Sequence, residues 1–328
     1  MLNFKWLKIV ISSLTLFTLI NNSTARCMQS DFRIGDESLE ASEREAFNID
    51  DNGLLFSYNG TNEDVVIPNE VKEIGSYVFS NRTDITSIDL PEGLLKIDDY
   101  AFSGCTNLKR VIIPDSTEDI GKFSFANCES IEYIYLGNSL CNLGEMCFFG
   151  CGSLGDINVS QENIYFSSRD GVLFDKEQIN LILCPSNIRG EYFAPDTVKS
   201  IYSYAFFKCD KLEKAAFSSN LEEIKDMAFY GCSKMRNVSL GENLKHMGSC
   251  AFGDCISLEQ ISLPETLRFI GSNAFFNCMS LKNTSILSSN LKIERRAFAS
   301  CDNIIIYCHE GSSLERYASK HDIKFILI

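Results

Sequence analysis

Fourteen cysteines in a chain of 328 residues are the side chains with the most obvious capacity for chemistry. At such density thiols can build a disulfide framework, hold zinc or act as nucleophiles. Zinc fits poorly, because no Cys-x-x-Cys pair occurs and the three histidines, His246, His309 and His321, are scattered. Eight cysteines recur in one phase: Cys105, Cys128, Cys151, Cys209, Cys232, Cys255, Cys278 and Cys301. A residue repeated at one place in every unit is a packing residue, and free cysteine packs as a small hydrophobe. The cysteines outside that phase are Cys27, Cys141, Cys147, Cys184, Cys250 and Cys308. Any disulfide is expected within this second set. Cys141 stands where other units carry Glu118, Glu222, Lys245 and Arg268, so it is expected to be exposed.

Other reactive motifs are missing from the sequence. It contains no Gly-x-x-x-x-Gly-Lys phosphate loop, no His-Glu-x-x-His and no Gly-x-Ser-x-Gly. Asn48 to Gly53 partly matches a calcium loop, but Asn59 stands where the closing acid belongs, and Asn52-Gly53 reads as a hairpin turn. No catalytic, cofactor-binding or metal residue is assigned, and a protein that is not an enzyme is expected. Five Asn-x-Ser/Thr sequons, at Asn59, Asn81, Asn158, Asn237 and Asn283, are candidate N-glycosylation sites.

A repeat positions these residues. Phe79, Phe102, Phe125 and Phe148 lie 23 residues apart, and the series resumes at Phe206, Phe229, Phe252, Phe275 and Phe298 with the same spacing. The in-phase cysteines follow by three residues, with Arg82 replacing cysteine in the first unit. An apolar residue such as Leu108 or Leu258 comes three later, and another such as Ile97 or Ile270 precedes each phenylalanine by five. Such a register establishes a solenoid, and periods of roughly 20 to 29 residues indicate leucine-rich repeats. In the unit from Asp98 to Pro114, Leu108, Val111 and Ile113 read as a short parallel strand that Pro114 ends. Ala101-Phe102 turns the chain on the convex side, expected as a 3₁₀ or single helical turn. One coil cannot bury its own apolar edge. Stacking coils about 4.8 Å apart joins the strands into a parallel sheet on the concave face and the phenylalanines into a spine. Gly75, Gly121, Gly144, Gly248 and Gly271 share a phase with Asp98, Tyr202, Lys225 and Glu294, so that place does not demand a positive φ.

Between Phe148 and Phe206 the register is interrupted. Asp170-Gly171 lies between Ile164-Tyr165-Phe166 and Val172-Leu173-Phe174 and predicts a β-hairpin. Asn52-Gly53 before Leu54-Leu55-Phe56 reads as a second copy of that hairpin. Ser312 to Glu315 matches a capping box before a short helix from Leu314 to Lys320, and Ile323 to Leu327 alternates as a closing strand. The fold expected is a leucine-rich-repeat horseshoe: a parallel sheet on the concave face, short 3₁₀ or irregular convex segments, hairpin inserts and a C-terminal helix–strand cap. Its parts are a signal peptide at 1–25, a flexible segment at 26–45 and a single repeat domain at 46–328. Within the domain, 46–73 is a hairpin cap, 74–159 holds repeats one to four, 160–200 is the insert, 201–307 holds repeats five to nine, and 308–328 is the terminal cap.

Lys5 and Lys8, the apolar stretch from Ile9 to Ile20 and the small residues Ser23-Thr24-Ala25 carry the pattern of a secretory signal. That stretch is too short to cross a bilayer core of about 30 Å, so no transmembrane segment is expected after cleavage. Formal charge is −14, becoming −16 on loss of Lys5 and Lys8. Such a balance disfavours nucleic acid and anionic membranes as partners.

The run from Cys255 to Pro264 and then from Leu267 to Phe275 carries the pattern Cys-x-x-Leu-x-x-Ile-x-Leu-Pro followed by Leu-x-x-Ile-Gly-x-x-Ala-Phe. It resembles the BspA-like, or Treponema-type, leucine-rich-repeat family, and the resemblance extends over residues 46–328, including the Asp-Gly hairpin and the Tyr317-Ala318 tail. Arg82, Cys147 where alanine is usual, and a short final strand from Ile304 to Tyr307 depart from the pattern. The resemblance implies a secreted or cell-surface protein of the kind found in bacteria and parasitic protists, several of which are adhesins or surface antigens.

On the concave sheet most solvent-facing side chains are small and polar. The exception is Lys109, Arg110, Ile112, Tyr133 and Tyr135, where tyrosine beside arginine has the composition of an interface hot spot. These five residues form the candidate ligand patch, for a protein or glycan partner such as host extracellular matrix or a cell surface. Asn158, Asn237 and Asn283 share the concave phase, so sugars there would cover their own coils and leave the patch clear. The function expected is a secreted or cell-surface binding or adhesion protein without a cofactor. The alternatives are a structural or antigenic surface protein with no defined ligand, and an enzyme grafted on the solenoid.

Overall fold

The computed structural model describes residues 41–286, 288 and 290–328. The expected signal at 1–25 and Cys27 lie outside the described residues; Ala41–Arg44 forms one helical turn. From Ala46 to Ile328 the chain is a β-solenoid and a single unit.

Each coil contributes two parallel strands. The longer one, such as Arg110–Ile112, turns Val111 inward and leaves Arg110 and Ile112 half-exposed, as period-two geometry requires. It pairs with Tyr133–Leu136, which pairs with Asp156–Val159, so Val111, Ile134 and Ile157 form one buried column. The shorter strand has two residues. Lys96–Ile97 pairs with Glu73–Ile74 on one side and Asp119–Ile120 on the other. This second sheet goes beyond the sequence reading, because two residues are too few to show an alternation.

The segment around Ala101-Phe102 is not the expected 3₁₀ or helical turn. Backbone i→i+3 bonds from Ser103 N–H to Tyr100 (3.1 Å) and Cys105 N–H to Phe102 (3.2 Å) alternate with bonds to the next coil. Those run from Tyr100 N–H to the Lys122 carbonyl (2.9 Å), Phe102 N–H to Ser124 (2.7 Å) and Gly104 N–H to Ala126 (2.7 Å). A continuous 3₁₀ run would spend every amide within one coil. Here half of them hold the coils together. The alternation has a backbone cause: the residues two before and two after each phenylalanine of the series have φ between 53° and 78°. Tyr77, Tyr100, Phe123 and Tyr204 are among them, and a non-glycine residue there costs roughly 1 kcal/mol. The glycines of the Gly121 phase serve a different need. A Cβ on Gly144 would lie 2.3 Å from the carbonyl carbon of Gly121 in the coil below, so glycine is set there by close approach.

The core is two ring stacks. Phe79, Phe102, Phe125 and Phe148 stack at centroid distances of 4.9, 5.0 and 5.6 Å. Phe206, Phe229, Phe252, Phe275 and Phe298 stack at 4.6, 4.9, 5.5 and 5.0 Å. All are buried. Beside them runs a column of thiols. The Cys105 thiol donates to the Phe79 carbonyl at 3.1 Å, Cys128 to Phe102 at 3.1 Å, and Cys232, Cys255, Cys278 and Cys301 repeat the bond at 3.0 to 3.2 Å. Each thiol therefore caps a carbonyl in the preceding coil. In the first unit, where Arg82 replaces the cysteine, its guanidinium reaches the Gly60 carbonyl of the preceding turn (2.8 Å) and lies over the Tyr58 ring.

The insert separates the two stacks. Phe166–Arg169 and Val172–Asp175 form the predicted hairpin, with Asp170 (φ 52°) and Gly171 (φ 77°) as a two-residue turn. Its second strand is buried on both faces. Leu173 packs into the N-terminal core, while Val172 and Phe174 pack into the C-terminal one. Asn163 pins the insert to the coil before it. Its amide donates to the carbonyls of Gly137 and Leu140 at 2.9 Å, and its side-chain oxygen accepts from the backbone of Tyr165 and Phe166 at 2.8 Å.

One expected equivalence is corrected. The first hairpin, Phe47–Ile49 with Leu54–Tyr58, matches the next turn of the insert, between Val172–Asp175 and Asn180–Leu183. Asp50 accepts from the amides of Asn52 and Leu54, as Asp175 does from Ile179 and Asn180. Gly53 (φ 85°) and Gln178 (φ 56°) hold the same left-handed place, and both pairings carry a bulge one residue before it enters the coil series. Leu55 then pairs with Ile74 as Leu181 pairs with Ile201. The turn motifs look alike in sequence, but only the pairing identifies which turn is which.

At the C-terminus the helix Ser313–Lys320 is capped by Ser312, whose hydroxyl accepts from the Glu315 amide. Tyr317 meets Phe298 edge-on at 6.2 Å, and Leu314 and Ala318 are buried, which closes the second stack. Lys324–Leu327 adds the last strand beside Ile305–Cys308.

Candidate functional site

The strand register brings four of the five predicted patch residues into one block. Arg110 lies opposite Tyr133, and Ile112 opposite Tyr135, on adjacent coils. The next coil sets Asp156 beside Tyr133 and Asn158 beside Tyr135. All six side chains alternate with inward Val111, Ile134 and Ile157, so they face solvent and are half-buried by one another. The Arg110 guanidinium lies 5.6 Å from the Tyr133 ring centroid, within cation–π range. Lys109 is exposed just before the strand, where its carbonyl accepts from the Glu132 amide at 2.9 Å.

Electrostatics at this surface follow from partial burial. Burial raises the Tyr133 hydroxyl above its ordinary value, with a smaller contribution from nearby Asp156. Tyr135 is raised likewise, and Asp115, Glu162 and Glu92 add to the effect. The carboxyls of Asp156 and Asp89 are also pushed up by burial. Asn158 donates to Asp156 at 2.9 Å. The hairpin tip walls one side, for the Ile157 amide donates to the Gly171 carbonyl at 3.1 Å and a Cβ on Gly171 would lie 2.8 Å from Asp156 Oδ1.

The sequons fall at separate places. Asn59, Asn81, Asn237 and Asn283 are exposed and Asn158 is half-buried. Asn237 and Asn283 occupy one column of the long-strand sheet in the C-terminal block, with Gln260 between them. Asn158 sits at the edge of the patch itself, against Tyr135, so sugar there would crowd the patch. That differs from the expectation that glycans leave it clear.

All cysteines among the described residues are free thiols. The in-phase eight are buried, and Cys141 is exposed with its thiol 3.4 Å from the Glu118 carbonyl. Cys147, Cys184 and Cys308, expected among disulfide candidates, are buried instead, and Cys250 is half-buried. Cys184 neighbours the Cys209 thiol, so it extends the thiol column by one coil. Burial pushes the Cys151 thiol up to about 12, which disfavours the nucleophilic thiolate. Among the described residues no group of three or more His, Cys, Asp or Glu is placed to hold a metal, and no helix is long and apolar enough to cross a membrane.

Two surface features escaped the sequence reading. Gly190–Phe193 in the insert opens the long-strand sheet of the C-terminal block, leaving Phe193 63% exposed with Lys214 Nζ 5.5 Å from its ring. The signal was present: Tyr192-Phe193-Ala194-Pro195 repeats the strand-then-proline pattern of Val111 to Pro114. On the convex side Tyr77, Tyr100 and Phe123 stack at 4.9 and 5.1 Å. They share the left-handed position, which composition alone does not mark.

Comparison with known proteins agrees with this architecture. A leucine-rich-repeat protein from Eubacterium ventriosum superposes with a TM-score of 0.67 at 24% identity, covering 76% of this chain and 66% of that one. The pneumococcal vaccine antigen PcpA gives 0.61 at 22% identity, over 86% and 82% of the two chains. A leucine-rich cell surface protein from Faecalibacterium prausnitzii gives 0.59 at 20%, over 83% and 94%. No curated protein matches the sequence. The description "BspA type leucine rich repeat region" matches residues 32–178 and 186–305 in six copies. Its reach over both blocks, together with the coil geometry, means that the chain belongs to the BspA-type leucine-rich-repeat family.

Proposed function

We propose that this is a secreted or cell-surface binding protein that engages a macromolecular partner through Lys109, Arg110, Ile112, Tyr133 and Tyr135. The observation that carries the reading is Arg110 over Tyr133 beside Ile112 and Tyr135, on a sheet whose strands are fixed by the coils behind them. Rigid aromatic side chains that need no ordering on binding lose little entropy, which is why such groups dominate interfaces. The solenoid contributes a preformed surface, and one such scaffold carries many binding surfaces, so the reading is of a binding protein and not an enzyme. The domain plan fits it. In it, residues 1–25 are a cleaved signal, 26–45 an N-terminal segment ahead of the domain, and 46–328 the binding unit. N-terminal sequencing of the secreted protein is expected to begin at Arg26. Residue 26–328 protein, presented to purified extracellular-matrix proteins and a glycan array, is expected to bind a partner that the Tyr133→Ala/Tyr135→Ala variant loses. Equal binding by that variant, with its circular dichroism unchanged, overturns the assignment of the patch.

A further inference from the structure

Resting on that reading, we infer that the patch takes an extended polypeptide segment with cationic side chains near both ends and apolar ones between. Three carboxylates set this preference. Asp64 and Asp89 flank the Arg110–Tyr133 block on the N-terminal side and Asp156 on the C-terminal side, all on the solvent face of the long strands. Among the described residues Asp64 accepts from the hydroxyls of Thr86 and Ser87, and Asp156 from Asn158. Among the described residues no lysine or arginine pairs with any of the three. The C-terminal block shows the contrast: on its long-strand sheet Glu191 pairs with Lys214 at 3.4 Å, and just before the strands Glu259 pairs with Lys282 at 3.2 Å.

Asp89 and Asp156 are half-buried without a counter-ion, which is costly, and a cation arriving from a partner recovers that cost; Asp64 is exposed beside them. The geometry gives the spacing. Asp89 and Asp156 are three coils apart, about 15 Å at about 4.8 Å per coil, which four to five residues of extended chain span at about 3.3 Å each. Between them Ile112, Tyr133 and Tyr135 offer apolar and ring surface, and the Arg110 guanidinium keeps the two acidic ends distinct. The Asp170-Gly171 turn closes the C-terminal end against Asp156. The segment therefore lies along the stacking axis, across the strands.

The test uses residue 26–328 protein and three fluorescein-labelled probes in anisotropy titrations at physiological salt. One is a peptide with lysines five residues apart around Leu and Val, the second has glutamates in those places, and the third is a neutral oligosaccharide. The lysine peptide is expected to bind. Its affinity is expected to fall roughly tenfold or more in Asp89→Asn/Asp156→Asn and to change less than about twofold in Glu191→Gln/Glu259→Gln, which removes the same charge from the other block. Preference for the glutamate peptide or the oligosaccharide, or equal losses in both variants, overturns the inference. If the matrix-protein binding lost in Tyr133→Ala/Tyr135→Ala persists in Asp89→Asn/Asp156→Asn, the patch stands and the cationic partner falls. If neither variant changes that binding, both readings fall.

Discussion

Asn48 and Leu173 occupy the same cross-strand position in two copies of one hairpin: Asn48 faces Ser57, and Leu173 faces Leu183. The polar pair is closed by a 2.8 Å hydrogen bond from Asn48 Nδ2 to Ser57 Oγ. The apolar pair faces the core of the block before it. One hairpin thus carries a polar pair in its first copy and an apolar partition in its second, according to two residues.

Exchanging those residues separates the two roles. Leu173→Asn places an amide in a fully buried site and is expected to cost about 2–4 kcal/mol, read from urea unfolding by circular dichroism. Asn48→Leu/Ser57→Leu, which replaces a half-buried polar pair on both sides, is expected to move that transition by less than about 1.5 kcal/mol.

The ring stacks give a positional prediction. Phe252→Ala, between Phe229 and Phe275, is expected to cost about 3–5 kcal/mol. Phe298→Ala, at the end of the stack with Tyr317 beyond it, is expected to cost less. Equal unfolding midpoints for the two variants contradict the stack as the main source of core stability.

Replacing a column thiol tests its hydrogen bond apart from its volume. Cys255→Val fills similar space but leaves the Phe229 carbonyl with the Cys232 amide as its remaining donor (3.2 Å), and about 0.5–1.5 kcal/mol of destabilisation is expected. In the native protein a thiol reagent is expected to label Cys141 rapidly and the buried column only after denaturant is added, as followed by mass spectrometry of tryptic peptides.

Burial raises the carboxyls of Asp89 and Asp156 above the ordinary 3.8, so the folded state holds their protons more tightly than the unfolded chain does. Their favourable contribution is full below 3.8 and is lost as pH rises through the raised folded value. Asp89→Asn/Asp156→Asn is therefore expected to melt higher than wild type at pH 7 and equally at pH 3. The gain stays below about 1 kcal/mol per site, because both groups are half-exposed and solvent screens them.

The left-handed positions offer a stabilising change. Ser300 has φ 61° where Gly104, Gly150 and Gly231 serve in other coils. Ser300→Gly is expected to raise stability by up to about 1 kcal/mol in thermal melts.

The phenylalanine and cysteine spacing makes the coil legible in the sequence alone, because a period of 23 leaves a mark on each coil. The inward role of Val111 and the exposure of Cys141 followed from phase alone. What escaped was written in the backbone. Tyr100 and Arg296 share a left-handed conformation without sharing chemistry, so no residue type announces the turn ladder. The Asn163 side chain makes four hydrogen bonds, yet the residue belongs to no period. At the patch, register placed Arg110 beside Tyr133 correctly. The unpaired state of Asp89 became visible only when its neighbours across the sheet were known.

The column of reduced thiols has a consequence for where such a protein can mature. A small secreted domain held by disulfides is competent only after an oxidant has joined the right sulfurs. This solenoid uses sulfur as a hydrogen-bond donor within its own core, one coil to the next. Packing its core therefore requires that no disulfide be formed and that the thiols stay reduced until they are buried. Lengthening the array by another coil adds one thiol to the column and no cross-link to be formed.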